Sequence, residues 1–206
     1  MLSSLTLGLA LAAAPAAAQI VDRIVAVLDR EVITLSEAQR ARKLQLLRAG
    51  SEAPPLVDAV ERLIELRLVL REVERYPTQA VAPQEIAAAV ASVRAAFDSQ
   101  ASFEMALAEA EMTEAELGAQ LRSQIAVTHY LERRFRLLIQ VSEGEIGRYY
   151  REELAPELRR AGEAPPPLES VSSAIRRILE EREFNSQIAA WIDQLKARAN
   201  VRRYVW

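Results

Sequence analysis

Between residues 56 and 76 apolar side chains stand on nearly every side of a segment whose spacing predicts a helix. Val57, Val60, Leu63, Ile64, Leu68 and Val69 form one broad face, and Leu66 and Leu70 carry the apolar surface most of the way round. Such a helix is stable in water only with partners on several sides, so it belongs at the centre of a bundle. The remaining chain can supply those partners, because six glycines and nine prolines among 206 residues leave long uninterrupted stretches rich in Ala, Leu, Arg and Glu.

Local stop and start signals divide the rest. Residues 20–34 hold two short β-branched runs, Ile24–Leu28 and Val32-Ile33, around Asp29-Arg30, which reads as a small hairpin. Ser36 with Gln39, or Thr34 with Glu37, fits a capping box opening a first helix, with Gly50 as its end. Residues 51–55 connect it to the central helix, which Tyr76-Pro77 closes. Pro83 suits the first position of the next helix, whose stripe is Ile86, Val90, Val93 and Phe97. A short helix capped by Ser102 covers 102–110. Thr113 with Glu116 opens a long one through Leu117, Leu121, Ile125, Thr128, Leu131 and Phe135, and Ser142 with Glu145 starts a brief one ending at Glu153. Residues 155–167, with Pro156, Gly162 and prolines at 165 to 167, read as a linker. Residues 168–199 form a last amphipathic helix with Val171, Ile175, Ile178, Ile188, Trp191, Ile192 and Leu195 on its apolar face. Residues 201–205 then read as a strand, expected to pair with residues 23–28 because an isolated hairpin is marginal in water. The fold class is therefore mainly α, a multi-helix module with a small β-hairpin joined by a C-terminal strand.

Residues 1–18 are uncharged, carry an apolar run broken by Pro15 and end in Ala16-Ala17-Ala18, the pattern of a cleaved secretory leader. The apolar run is too short to span a bilayer comfortably, and no later segment is apolar enough. An exported protein without stable membrane insertion is expected. Zero cysteines exclude disulfide scaffolds, thiolate metal sites and cysteine nucleophiles. One histidine excludes a His-rich metal site, so neither a metal nor a cofactor is expected. A net charge of −3 argues against a nucleic-acid surface.

No catalytic constellation emerges. His129 lacks an activated partner motif and reads as a helix-surface residue. Glu152-Glu153 and Glu180-Glu181 point about 100° apart on their helices and read as solvated faces. The pairs Arg133-Arg134, Arg176-Arg177 and Arg202-Arg203 are interleaved with acids and read as surface ion pairs. Residues 77–118 differ, with seven acids against Arg94 alone and with Phe97, Phe103, Met105, Leu107 and Met112 among them. Methionine adapts to many apolar shapes, so these five residues are candidates for a peptide-binding groove; they could equally form the small core of their own lobe.

The string IVDRIVAVLDREVITLSE followed by LVDAVERLIELRLVLREVERY resembles the start of the SurA family of periplasmic chaperones. Pro83 to Phe97, SFEMALAEAEMTEAELGAQLRSQIAVTHYLERRF, VSEGEIGRYYREEL and AIRRILEEREFNSQIAAWIDQLKARANVRRYV continue the resemblance in order. It implies one module built from residues 19–154 and completed by 168–206, binding unfolded or aromatic-rich polypeptides in the periplasm. Where that family inserts parvulin prolyl isomerase domains, this chain has only residues 155–167, and no isomerase residue carries over. The family's glycines are replaced here by Glu111 and Tyr76. An exported scaffold for one folded envelope partner, and an isomerase-family protein with residual activity, are the alternatives. A homodimer formed by exchange of the C-terminal helix is also open.

Overall fold

The computed structural model describes residues 22–44, 46, 54–76 and 80–204. The leader expected at 1–18, the helix end at Gly50 and the last two residues lie outside these. Within them β1 (Ile24–Leu28) and β2 (Glu31–Thr34) form the hairpin, and β3 (Val201–Arg203) completes a three-stranded antiparallel sheet in the order β2-β1-β3. Val27 stands opposite Val32 on one side and Arg202 on the other. The turn residue Asp29 takes φ 55°, a region that aspartate tolerates better than most side chains. Its N–H donates to the Asn200 carbonyl at 2.9 Å, its Oδ1 accepts from the Asn200 N–H at 2.9 Å, and Arg71 donates to its Oδ2. The tail thus pairs as expected, and both ends of the described chain meet in one sheet.

Among the described residues eight α-helices follow the hairpin or lie between the strands: α1 (Leu35–Lys43), α2 (Pro55–Arg75), α3 (Pro83–Ala95), α4 (Gln100–Glu109), α5 (Glu114–Phe135), α6 (Glu143–Tyr149), α7 (Ala155–Arg160) and α8 (Leu168–Arg198). Thr34 caps α1, accepting from the Glu37 N–H at 3.3 Å. The boxes at Thr113–Glu116 and Ser142–Glu145 are both reciprocal. On α4 the cap is Ser99, one turn earlier than expected, and Ser102 is its reciprocal partner. Helix α1 stops at Lys43 because Leu44 and Leu46 turn inward and are buried.

The expected linker is half helix. The N–H of Ala155 reaches the Tyr150 carbonyl five residues back, so Tyr150–Leu154 is a π turn joining α6 to α7. Pro156 has no N–H to give, and in an unbroken α-helix its ring would press on the carbonyl four residues earlier. The widened turn lets the helix run through it. Only residues 161–167 remain as a connection, anchored where the Tyr150 hydroxyl donates to the Pro166 carbonyl at 2.6 Å.

Two apolar cores result. The first joins the sheet to α1, α2, the second half of α5 and α8, with Leu28, Ile33, Leu63, Ile64, Tyr130 and Trp191 among its buried members. The second holds Leu44 and Leu46 against α3, α4 and the first half of α5, around Phe103 and Leu117. The unbroken α5 helix spans both. Two expected core residues face water instead, Val57 on α2 and Ile178 on α8, while Phe184 is buried on α8 without having been expected there.

Removing residues 201–206 should lower the melting temperature and abolish slow hydrogen exchange at Ile24–Val27, because β1 loses one of its two partners; unchanged stability would contradict this closure. A charge also holds β3. Arg203 donates from Nε and Nη2 to both carboxylate oxygens of Glu61 on α2, the second at 2.9 Å. The Arg203 hydrogen bonds hold the Glu61 carboxyl below its ordinary value despite partial burial. Their stabilisation is therefore complete above the unfolded value, about 4.3, and is lost as the pH falls through the folded value. Glu61→Gln should flatten the acid limb of a melting-temperature profile while leaving the neutral limb lower and parallel.

Candidate peptide-binding crevice

Helix α2 places Arg67 and Arg71 four residues apart, on the face toward the hairpin. Arg67 donates to Glu31 at 3.2 Å and to Glu37 at 2.6 Å; Arg71 donates to Glu31 at 3.0 Å and to the Leu28 carbonyl at 2.9 Å. Burial alone would lower the pKa of Arg67, but the carboxylates of Glu37 and Glu31 hold it above its ordinary value. These clamps fix the hairpin and α1 against α2. About 100° round the helix, Leu66 and Leu70 are left half-buried, packed in neither core.

What they face is a crevice of about 390 Å³ where the two cores meet. Leu63, Leu66 and Leu70 of α2, Ala41 of α1, Met112 between α4 and α5, and Gln120 and Ser123 of α5 line it. Arg40, Glu37 and Arg67 stand at the rim. Its size lies in the range of ordinary ligand pockets, which combine apolar walls with a few polar groups. The two sides come from different cores and are tied by the Lys43–Glu109 ion pair between α1 and α4.

Of the five residues singled out in the sequence, Met112 lines this crevice. Phe103 and Leu107 do not; both are buried in the second core. Phe97 packs on that core with its ring 5.7 Å from Phe103. Met105 is 60% exposed and belongs to neither the core nor the crevice. The lobe therefore uses its aromatic residues mainly for itself, packed with Leu107, Leu117 and Leu121. Leu66 and Leu70 were legible as surplus apolar surface on α2, but nothing local marked them as a crevice wall. His129 Nε2 lies 2.9 Å from Glu85 Oε2 and ties α5 to the first turn of α3.

A second groove, about 860 Å³, runs between the π turn and α8 beside the exposed Leu137 and Leu138. Glu145, Arg148, Glu152, Glu153, Arg182 and Glu183 dominate its walls, so a smaller share of its surface is apolar. Among the described residues no group of three or more His, Asp or Glu could hold a metal ion, and no helix is long and apolar enough to cross a membrane.

The chain is 30% identical over 198 residues to the chaperone SurA of Pseudomonas fluorescens, an alignment covering 87% of this chain and 46% of that protein. Over most of its length the chain is similar to SurA. A second SurA, from Cupriavidus pinatubonensis, is 33% identical over 171 residues, covering 79% of this chain and 33% of that one. The SurA-like chain thus spans less than half the length of either curated relative. No family model matches it.

Proposed function

We propose that this SurA-like chain is a periplasmic holdase that binds apolar, aromatic-rich segments of unfolded outer-membrane or other exported proteins, without catalysing a reaction on them. The observation that carries this reading is the crevice between the two cores, where Leu63, Leu66, Leu70 and Met112 stand among polar groups of α1, α2 and α5. A holdase needs weak, reversible contacts of this sort and no fixed chemistry. Two further features support it. Relatives named as chaperones align with most of the chain. Residues 161–167, the connection from α7 to α8, are too few to hold an isomerase domain, which needs roughly a hundred residues.

The test is aggregation of an unfolded β-barrel protein on dilution from urea. A several-fold molar excess of the chain should suppress light scattering, and the double variant Leu66→Glu, Leu70→Glu should not, while keeping its circular dichroism. Equal aggregation with and without the wild-type chain would defeat the proposal. Tight capture of one folded envelope protein without affinity for unfolded chains would replace it with a scaffold role.

A further inference from the structure

Most arginines near the crevice are spoken for. Arg67 is held by Glu31 and Glu37, Arg71 by Asp29 and Glu31, and Arg62 by Glu65. Arg40 is different. Among the described residues it has no carboxylate within ion-pair distance, and its side chain makes one long hydrogen bond, from Nη2 to Ser36 Oγ at 3.4 Å. It lines both the crevice and a neighbouring cavity on the other side of α1, so its guanidinium stands on the ridge between two openings.

Four of the acids around Arg40 are engaged elsewhere. Glu37 accepts from Arg67 at 2.6 Å. Glu116, near enough to feel the Arg40 charge, accepts from the Thr113 N–H at 2.7 Å and from its hydroxyl at 2.8 Å. Glu109 pairs with Lys43. Glu111, in the neighbouring cavity at φ 49° in the turn between α4 and α5, is the exception: among the described residues its carboxylate makes no ion pair, with Arg40 or any other cation. Asp22 accepts from both the N–H and the hydroxyl of Ser36.

From this we infer that Arg40 is a carboxylate-binding residue of the crevice, and that the preferred ligand is an apolar side chain with a carboxylate beside it. Leu66, Leu70 and Met112 take the apolar group, and the guanidinium, whose planar fork matches two carboxylate oxygens, takes the anion. Gln120 and Ser123 offer hydrogen bonds to the intervening backbone. The carboxylate can be the C-terminus of a polypeptide ending in an apolar residue, or an internal Asp or Glu next to one. The inference rests on the crevice being the binding site and adds its selectivity.

Fluorescence anisotropy with labelled peptides ending in phenylalanine tests it, using the full chain. The free acid should bind about five- to tenfold more tightly than the C-terminal amide, the gain expected of a partly exposed charge-assisted contact. Arg40→Gln should bind acid and amide alike, at the affinity of wild type for the amide, and Arg40→Lys should recover part of the preference. A third peptide, amidated but with glutamate beside the phenylalanine, separates the two sources: recovery of tight binding assigns an internal acid, no recovery assigns the chain terminus. Equal binding of acid and amide by the wild type would overturn the inference and leave the holdase reading standing. So would an acid preference that survives in Arg40→Gln, or a loss of acid and amide binding alike, which would make Arg40 a packing residue. Failure of every apolar peptide to bind would remove both.

Discussion

Trp191→Ala costs about 3–5 kcal/mol of folding stability, the range for truncating a large buried aromatic. The indole is 7% exposed and closes the contact between α8 and α5. Its ring lies 5.9 Å from Tyr130 and 5.6 Å from Phe135, and the Arg134 guanidinium stands 5.2 Å from its centroid. Arg134 also donates to the Tyr130 hydroxyl at 3.3 Å, so the cation is shared by three rings. Each aromatic pair adds about 0.5–1.5 kcal/mol beyond the area it buries. Against a total of roughly 5–15 kcal/mol for a domain, the loss is large and should lower the melting temperature by on the order of 10 °C. Trp191→Phe should restore more than half of it. A cost below about 1 kcal/mol for the alanine variant would show that α8 is held by its strand and ion pairs instead.

Phe103→Ala produces a loss of similar size, about 3–5 kcal/mol, but in a different place. Phe103 is fully buried, with Phe97 at 5.7 Å and the Arg94 guanidinium 5.3 Å from its ring centroid. Arg94 is in turn fixed by Glu114 at 2.7 Å, so one ring links α3, α4 and the start of α5. Among the described residues Phe103 is the one fully buried aromatic of the second core, which is the smaller of the two, and a small core has little stability to lose. The expected result is local melting. Hydrogen exchange should quicken throughout α3 and α4 while β1 and α2 keep their protection. The crevice should lose peptide binding, because Met112 leaves its wall with the lobe. A uniform rise in exchange across both cores would show instead that they unfold as one unit.

These two residues also mark how far the sequence could be read. Trp191 stood on the predicted apolar face of α8, and the structure buries it there. Phe103 belonged to a methionine- and phenylalanine-bearing lobe that suited either a groove or a core. Which of the two it forms depends on Leu44 and Leu46, which arrive from the end of α1 and cover it. Leu66 and Leu70 show the reverse case: surplus apolar surface on the central helix, assigned to burial by its pattern, faces a crevice because the second core stops short of it. No periodicity distinguishes a wall from a core, since both need the same side chains.

Several helix starts were legible in the amino-acid sequence alone, although on α4 the expected Ser102 cap gave way to Ser99. Thr113 with Glu116, Ser142 with Glu145 and Pro83 begin their helices where expected, because each signal acts within one turn of backbone. The hairpin and its closure by the C-terminal strand were legible for a similar reason: β-branched runs flank a short turn, and the tail offers the edge a partner. Tertiary structure decided what depends on residues distant in sequence. The π turn carries the helix past Pro156 while α8 packs against it, so an apparent linker becomes helical. Arg67 and Arg71 find their carboxylates thirty or more positions away, and Arg40 finds none among the described residues. Pairing of charges and burial of apolar surface are settled by proximity in space, and residue spacing encodes proximity only within a single element.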